Sequence, residues 1–178
     1  AAEGLPHFGV AGYSLGGHVA LRLAGELATV RSGVGLPIRA LAAVSPTMDL
    51  SICIDAIERP INRPYEWNFL KGLRTRMRRK AEVWPGHFDL EPLTRVRSIR
   101  GFDDAYTAPL AGFGTAENYY VTASAMRLVD RVSLPTLIVS AEDDPFVPGH
   151  QFRRPEVAGN VNVRVVLPRR GGHCGFVS

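Results

Sequence analysis

Three side chains of this 178-residue sequence could together carry out acyl transfer: the Ser14 hydroxyl, the His173 imidazole and one carboxylate of the adjacent pair Asp143 and Asp144. A serine hydroxyl is a weak nucleophile near neutral pH. It needs a base within hydrogen-bond reach, and that base needs an acceptor behind it to hold one tautomer and stabilise the imidazolium that forms. Ser14 lies in Gly12-Tyr13-Ser14-Leu15-Gly16-Gly17, directly after the apolar run Phe8 to Ala11. That context predicts a strand, a sharp turn with serine at its apex and then a helix, the nucleophile-elbow pattern G-x-S-x-G. The bare pattern arises by chance in roughly one chain of this length in twenty, so its flanks decide its value. A buried-strand run precedes Ser14, and Leu15, Val19, Leu23 and Leu27 recur after it at helical spacing. A side chain at position 12 or 16 is expected to collide with the neighbouring strand or helix, which accounts for both glycines. Without partners the same letters describe a Gly-rich connection with no chemistry. The partners downstream weigh against that.

His173 is the expected base: it follows a predicted strand and is flanked by glycines that let the backbone approach the serine. Asp144 is preferred as the acid because the Asp-x-x-x-Pro spacing to Pro148 fits a strand-end turn; only one of the pair can point at the histidine, and Asp143 stays open as the alternative. Of the other histidines, His18 is expected to pack or cap on the elbow helix, His150 to start a helix, and His7 and His87 to lie in loops or at a strand edge. Asp103 and Asp104 fit a capping or loop-pinning role better than a second acid pair. Cys174 reads as a small packing residue. An oxyanion site needs two donors. One is expected from the backbone N–H of Leu15 at the start of the elbow helix; the second ordinarily comes from a loop after an earlier strand, which this sequence does not contain. No CxxC, HExxH or clustered ligand spacing occurs, so neither metal nor cofactor is expected.

These groups need elements to hold them. Residues 7–13 are predicted as the first strand, 15 to about 30 as the first helix, and 31–37 as a loop. Ile38 to Ser45 is a second apolar strand, closed by Ser45-Pro46. An insertion is expected from about 49 to 130. It begins with a helix over 49–58, N-capped by Asp49. A helix over 65–80 follows, with Tyr65, Phe69, Leu70, Leu73 and Met77 on one face and cations on the other. A last helix runs from Ala116 to about Leu128. Strands return at 135–140 and 162–167. Strands alternating with helices imply a parallel sheet with right-handed crossovers, in which chemistry collects at the carboxyl ends of strands. Ser14, Asp144 and His173 all fall just past such ends.

The composition, 46% hydrophobic with a formal charge of +4, suits one α/β domain. Six cations crowd into ten residues, Lys71, Arg74, Arg76, Arg78, Arg79 and Lys80, leaving −2 on the rest. The basic balance is therefore local and does not describe a nucleic-acid binder. That cationic face has two readings, a solvated helix face by default or a peripheral contact with anionic lipid head groups. Nineteen arginines against two lysines read as genome composition. Two cysteines make no disulfide framework and fit a reducing, cytoplasmic location. No apolar stretch reaches the ~18–20 residues that cross a bilayer. Both ends read as cut rather than finished.

With these residues located, the chain resembles the YheT-like branch of the α/β-hydrolase superfamily, and the order Ser, Asp, His is that of the superfamily. The resemblance is carried by Gly12-Tyr13-Ser14-Leu15-Gly16-Gly17, Ser45-Pro46 with Asp49-Leu50, and Phe102-Asp103-Asp104 through Pro109. It continues in Gly112-Phe113, Ala141 to Pro148, and Gly171-Gly172-His173-Cys174-Gly175-Phe176. It implies an α/β-hydrolase fold in which 7–13 is strand five of eight and 49–130 a helical cap, with the first four strands and the final helix missing. It also implies nucleophile Ser14, acid Asp144 and base His173. A four-strand remnant is expected to expose an apolar sheet edge. The leading function is a serine carboxylic-ester hydrolase acting on ester or lipid-like substrates. Acyl transfer to an alcohol through the same acyl-enzyme is the runner-up, and a catalytically silent scaffold is the third reading. Oligomeric state is left open.

Overall fold

The structure, a computed structural model, describes residues 7–29 and 37–176. The loop expected at 31–37 lies outside them except for Pro37, as do both chain ends. The chain divides into two compact units, one of residues 1–53 with 123–178 and the other of residues 54–122. The second falls inside the stretch expected as an insertion.

The first unit is built on a four-stranded parallel sheet in the order β1 (Phe8–Tyr13), β2 (Ile38–Val44), β3 (Thr136–Val139) and β4 (Val163–Val166). Helix α1 (Leu15–Thr29) connects β1 to β2 and packs on both. Its buried side is not the aliphatic stripe that marks it as a helix in the sequence. Gly17, Ala20, Leu21, Ala24 and Gly25 face inward, whereas Leu15, Val19 and Leu23 are exposed. The reason is distance. A Cβ on Gly17 would lie 3.0 Å from the Gly12 carbonyl oxygen and 3.1 Å from Pro46 Cβ, and one on Gly25 would lie 2.6 Å from Leu128 Cβ. Only small side chains let the helix approach so closely. Strand β1 stands at one edge of the sheet, with Phe8 and Tyr13 exposed.

Helix α2 (Leu50–Ile57) starts as expected, with Asp49 Oδ1 accepting the Ile52 N–H at 3.2 Å. Helix α3 (Arg63–Val83) is longer than its apolar pattern, extended at its start by Pro64. Its inward face is narrower than expected. Leu70 and Met77 are buried with Leu93, Val96, Phe102 and Tyr106, and Leu73 is partly so. Tyr65 and Phe69 are exposed instead, because at ~100° per residue they stand about 130° and about 90° from the Leu70–Met77 line. Arg74, placed with the outward cations by charge, turns in and donates to the Val96 carbonyl.

Beyond it, α4 (Ile99–Phe102) and α5 (Ala108–Leu110) are joined by a π-helical turn, Asp103–Thr107. Helix α6 (Ala116–Ala123) is five residues shorter than the expected 116–128. Ser124 leaves it in an extended conformation, its Oγ accepting the Leu50 N–H at 2.9 Å, and the Met126 N–H goes to the Met48 carbonyl at 3.0 Å. Tertiary hydrogen bonds replace the helical ones, and two 3₁₀ turns follow. A short α7 (Pro155–Ala158) lies between β3 and β4.

Candidate active site

Ser14 is the single residue between β1 and α1, with φ +49°. A non-glycine residue in the left-handed region is uncommon and costs energy. Here it is held at both ends: the Ser14 N–H donates to the Val44 carbonyl at 2.8 Å, and the Ser14 carbonyl accepts the His18 N–H at 3.1 Å. The turn is tight enough that a Cβ on Gly12 would lie 2.3 Å from the Gly16 carbonyl oxygen. At Gly16 a Cβ would meet nothing within 4 Å. The steric requirement expected at 12 and 16 therefore falls on 12 and 17, because residue 17 is the one turned toward the sheet.

The same strand end recurs twice along the sheet. Ser14, Ser45 and Ser140 each directly follow a strand, in register, and each N–H donates to the last residue of the next strand. Their side chains have different fates. Ser14 Oγ lies 2.9 Å from His173 Nε2. Ser45, also left-handed at φ +44°, turns its Oγ to accept the Cys174 N–H at 3.3 Å. Ser140 is fully buried and its Oγ has no hydrogen-bond partner among the described residues.

His173 Nδ1 lies 2.8 Å from Asp144 Oδ2. An ionised carboxylate only accepts, so Nδ1 carries the proton and Nε2 offers its lone pair to the Ser14 hydroxyl. The other Asp144 oxygen accepts the Phe146 and Val147 N–H groups at 2.9 and 3.0 Å. That is the strand-end turn expected from the spacing to Pro148. The Asp144 side chain is 0% exposed and that of His173 20%, so the pair is shielded from water while the imidazole stays reachable. The Phe146 ring stands edge-on to the imidazole at 5.1 Å.

Asp143, the alternative acid, points elsewhere: its Oδ1 accepts the Gly172 N–H at 2.8 Å. Asp143 and Ser45 thus grip the backbone on either side of His173. Within the loop the Phe176 N–H closes on the Gly171 carbonyl at 2.8 Å, with Gly172, Cys174 and Phe176 all left-handed. A Cβ on Gly171 would lie 2.8 Å from the Phe176 ring. The roles of Asp143 and Ser45 were not foreseen; the one signal available was that Ser45, like Ser14, ends an apolar strand.

Leu15 opens α1, so its N–H has no acceptor within the helix. No strand precedes β1 among the described residues, and none supplies a loop for a second oxyanion donor. His18 is buried, with Nδ1 2.8 Å from the Thr47 carbonyl, and burial lowers its pKa. His7, His87 and His150 are exposed. Cys53 is buried, which pushes its thiol up to about 12. Cys174 is half-buried, its Sγ 4.0 Å from the Val44 carbonyl. In the second unit Asp104 Oδ1 accepts the Ala116 N–H at 2.6 Å, capping α6, and Asp103 Oδ2 accepts the buried Tyr120 hydroxyl at 2.7 Å. No group of three or more metal-ligating side chains occurs among the described residues, and none of their helices is long and apolar enough to cross a membrane.

A family model described as "Alpha/beta hydrolase family" matches residues 1–178. The chain is 38% identical over 168 residues to "Putative esterase YheT" of Escherichia coli (strain K12), covering 93% of this chain and 48% of that protein. It is 31% identical over 171 residues to "Phospholipase ABHD3" of Mus musculus, covering 96% of this chain and 40% of that one. It thus spans about half the length of these relatives or less. Among solved structures, a Mycobacterium tuberculosis puromycin-hydrolyzing peptidase superposes with a TM-score of 0.53 at 19% identity, over 94% of this chain and 19% of that one. That likeness concerns the fold alone.

Proposed function

The chain belongs to the alpha/beta hydrolase family, and on that premise we propose that it carries the reaction centre of a serine hydrolase acting on carboxylic esters. One observation supports this above the others: Ser14 Oγ, His173 and Asp144 form an unbroken hydrogen-bonded line of 2.9 and 2.8 Å. Ser14 Oγ attacks the ester carbonyl carbon as its proton passes to His173 Nε2, and the buried Asp144 carboxylate stabilises the imidazolium. The carbonyl oxygen becomes an oxyanion that accepts the Leu15 N–H at the positive end of α1. Collapse breaks the ester C–O bond, and the leaving alcohol takes the Nε2 proton. Nε2 then deprotonates a water, which attacks the acyl-Ser14 carbonyl; collapse releases the carboxylic acid and returns the proton to Ser14. The relatives named esterase and phospholipase support ester or acyl-lipid substrates.

The test is covalent labelling of the protein at its full natural length by a fluorophosphonate, which reacts with activated serine hydroxyls. Labelling is expected at Ser14 and is lost in Ser14→Ala. A folded protein that is not labelled, or a Ser14→Ala variant labelled as well as the parent, overturns the proposal.

A further inference from the structure

Helix α3 (Arg63–Val83) carries seven basic side chains against Glu66 and Glu82, so this one helix holds +5 while the whole chain sums to +4. Helix stability does not require that. Cations favour the negative end of a helix only within its last turn, where Lys80 is the only one present. Arg76, Arg78, Arg79 and Lys80 are exposed and have no ion-pair partner among the described residues. The helix also displays large apolar groups. Tyr65 is 53% exposed, Phe69 45% and Trp67 62%, with Trp84 at 52% just past its end. Ile61 and Val83 are exposed as well.

These groups are sorted around the axis. At ~100° per residue, Tyr65, Phe69, Arg76, Lys80 and Val83 share one flank of about 60°. Trp67, Lys71 and Arg78 share the opposite flank, where Lys71 Nζ sits 5.2 Å from the Trp67 ring. Gly72 lies on the solvent side between them, about 20° from the Tyr65 flank and about 100° from the Trp67 flank, with nothing within 4 Å of where a Cβ would stand, so the helix surface is open at that point. Aromatic rings ahead of unpaired cations on the exposed side of one helix suit the boundary of an anionic membrane, where rings enter the headgroup layer and cations meet phosphates. Phosphates on a nucleic acid would use the cations but leave Ile61, Val83 and the tryptophan rings in water. We propose that α3 is an interfacial docking surface for anionic lipid, a role separate from the chemistry at Ser14.

Trp67 lies on α3 and Trp84 just past its end, and they are the two tryptophans of this 178-residue sequence, so their emission reports on this helix. The measurement uses the Ser14→Ala protein, so that its outcome does not depend on catalysis. Vesicles of phosphatidylcholine with phosphatidylglycerol are expected to shift the emission to the blue and to co-sediment the protein, with both effects reversed by salt. Arg76→Glu/Lys80→Glu, checked for unchanged circular dichroism, is expected to weaken binding about 25-fold or more. The milder Arg78→Gln/Arg79→Gln serves if the first variant does not fold, with a loss of roughly 25-fold expected. Absence of the shift, equal binding to pure phosphatidylcholine, insensitivity to the charge changes, or preference for single-stranded RNA over anionic vesicles overturns the proposal.

Discussion

The two compact units hold their polar groups by different means. In the first, every chemical group is placed by backbone: Ser14 by the last rung of the β1–β2 pairing, Asp144 by the Phe146 and Val147 N–H groups, and His173 by a loop gripped at Gly172 and Cys174. In the second, Asp104 and Arg74 also bond to backbone, but one polar cluster is placed by its own side chains. Arg100 spans Asp55 and Glu117 at 2.7 and 3.3 Å and stacks over the Tyr120 ring, while the Tyr120 hydroxyl reaches Asp103. A sheet rim fixes positions through a repeating hydrogen-bond register, which suits chemistry that tolerates little displacement. A helical unit held by side chains leaves its outer surface free to vary in charge.

Four measurements can break or sharpen this contrast. The largest effect is on rate. His173→Ala is expected to lower kcat/KM on a short-chain ester by about 10⁴-fold, whereas Tyr120→Phe in the second unit changes it only a few-fold; equal losses would erase the distinction. Next come the glycines, followed by thermal unfolding. Gly12→Ala drives a Cβ into the Gly16 backbone and is expected to cost about 3 kcal/mol. Gly16→Ala and Gly72→Ala meet open space inside helices and are expected to gain up to ~1 kcal/mol each. If Gly16→Ala proves as damaging as Gly12→Ala, the account of the elbow is wrong.

Third, Tyr120→Phe deprives buried Asp103 of a donor and is expected to destabilise the second unit by about 2 kcal/mol, read from denaturant unfolding. The smallest effect is on pH dependence, and its sign differs between the units. Burial lowers the pKa of His18 from 6.5, so the stability it contributes is complete above 6.5 and is lost as pH falls through the lowered value. Burial raises the pKa of Asp103 from 3.8, so its contribution is complete below 3.8 and is lost as pH rises through the raised value. On acidification the melting-temperature advantage of the parent over His18→Gln is therefore expected to shrink, while its advantage over Asp103→Asn grows. A shared sign would show that the two sites are not separately buried.

What could be read in advance depended on how local the governing physics is. Strands were legible within a residue or two, because an apolar run of strand length between turn residues permits few alternatives. The helical spacing of Leu15, Val19 and Leu23 announced a helix but misdirected its buried side, since the sheet demanded glycine and alanine at the contact. On α3 the same period was right about Leu70 and Met77 and too generous to Tyr65 and Phe69. The end of α6 at Ser124 and the π-helical turn at Asp103 had no local signature.

Sequence alone determined that a serine at a Gly-flanked strand end, a pair of aspartates and a glycine-flanked histidine occur in that order, each just past a predicted strand. Strand ends and glycine freedom are properties of a few neighbouring residues, so they survive without a fold. Only the tertiary structure decided which aspartate faces the imidazole, that Ser45 and Asp143 hold the backbone around it, and that the steric demand lies at Gly17 rather than Gly16. Each of those depends on distances between segments far apart in the chain, which no local preference encodes.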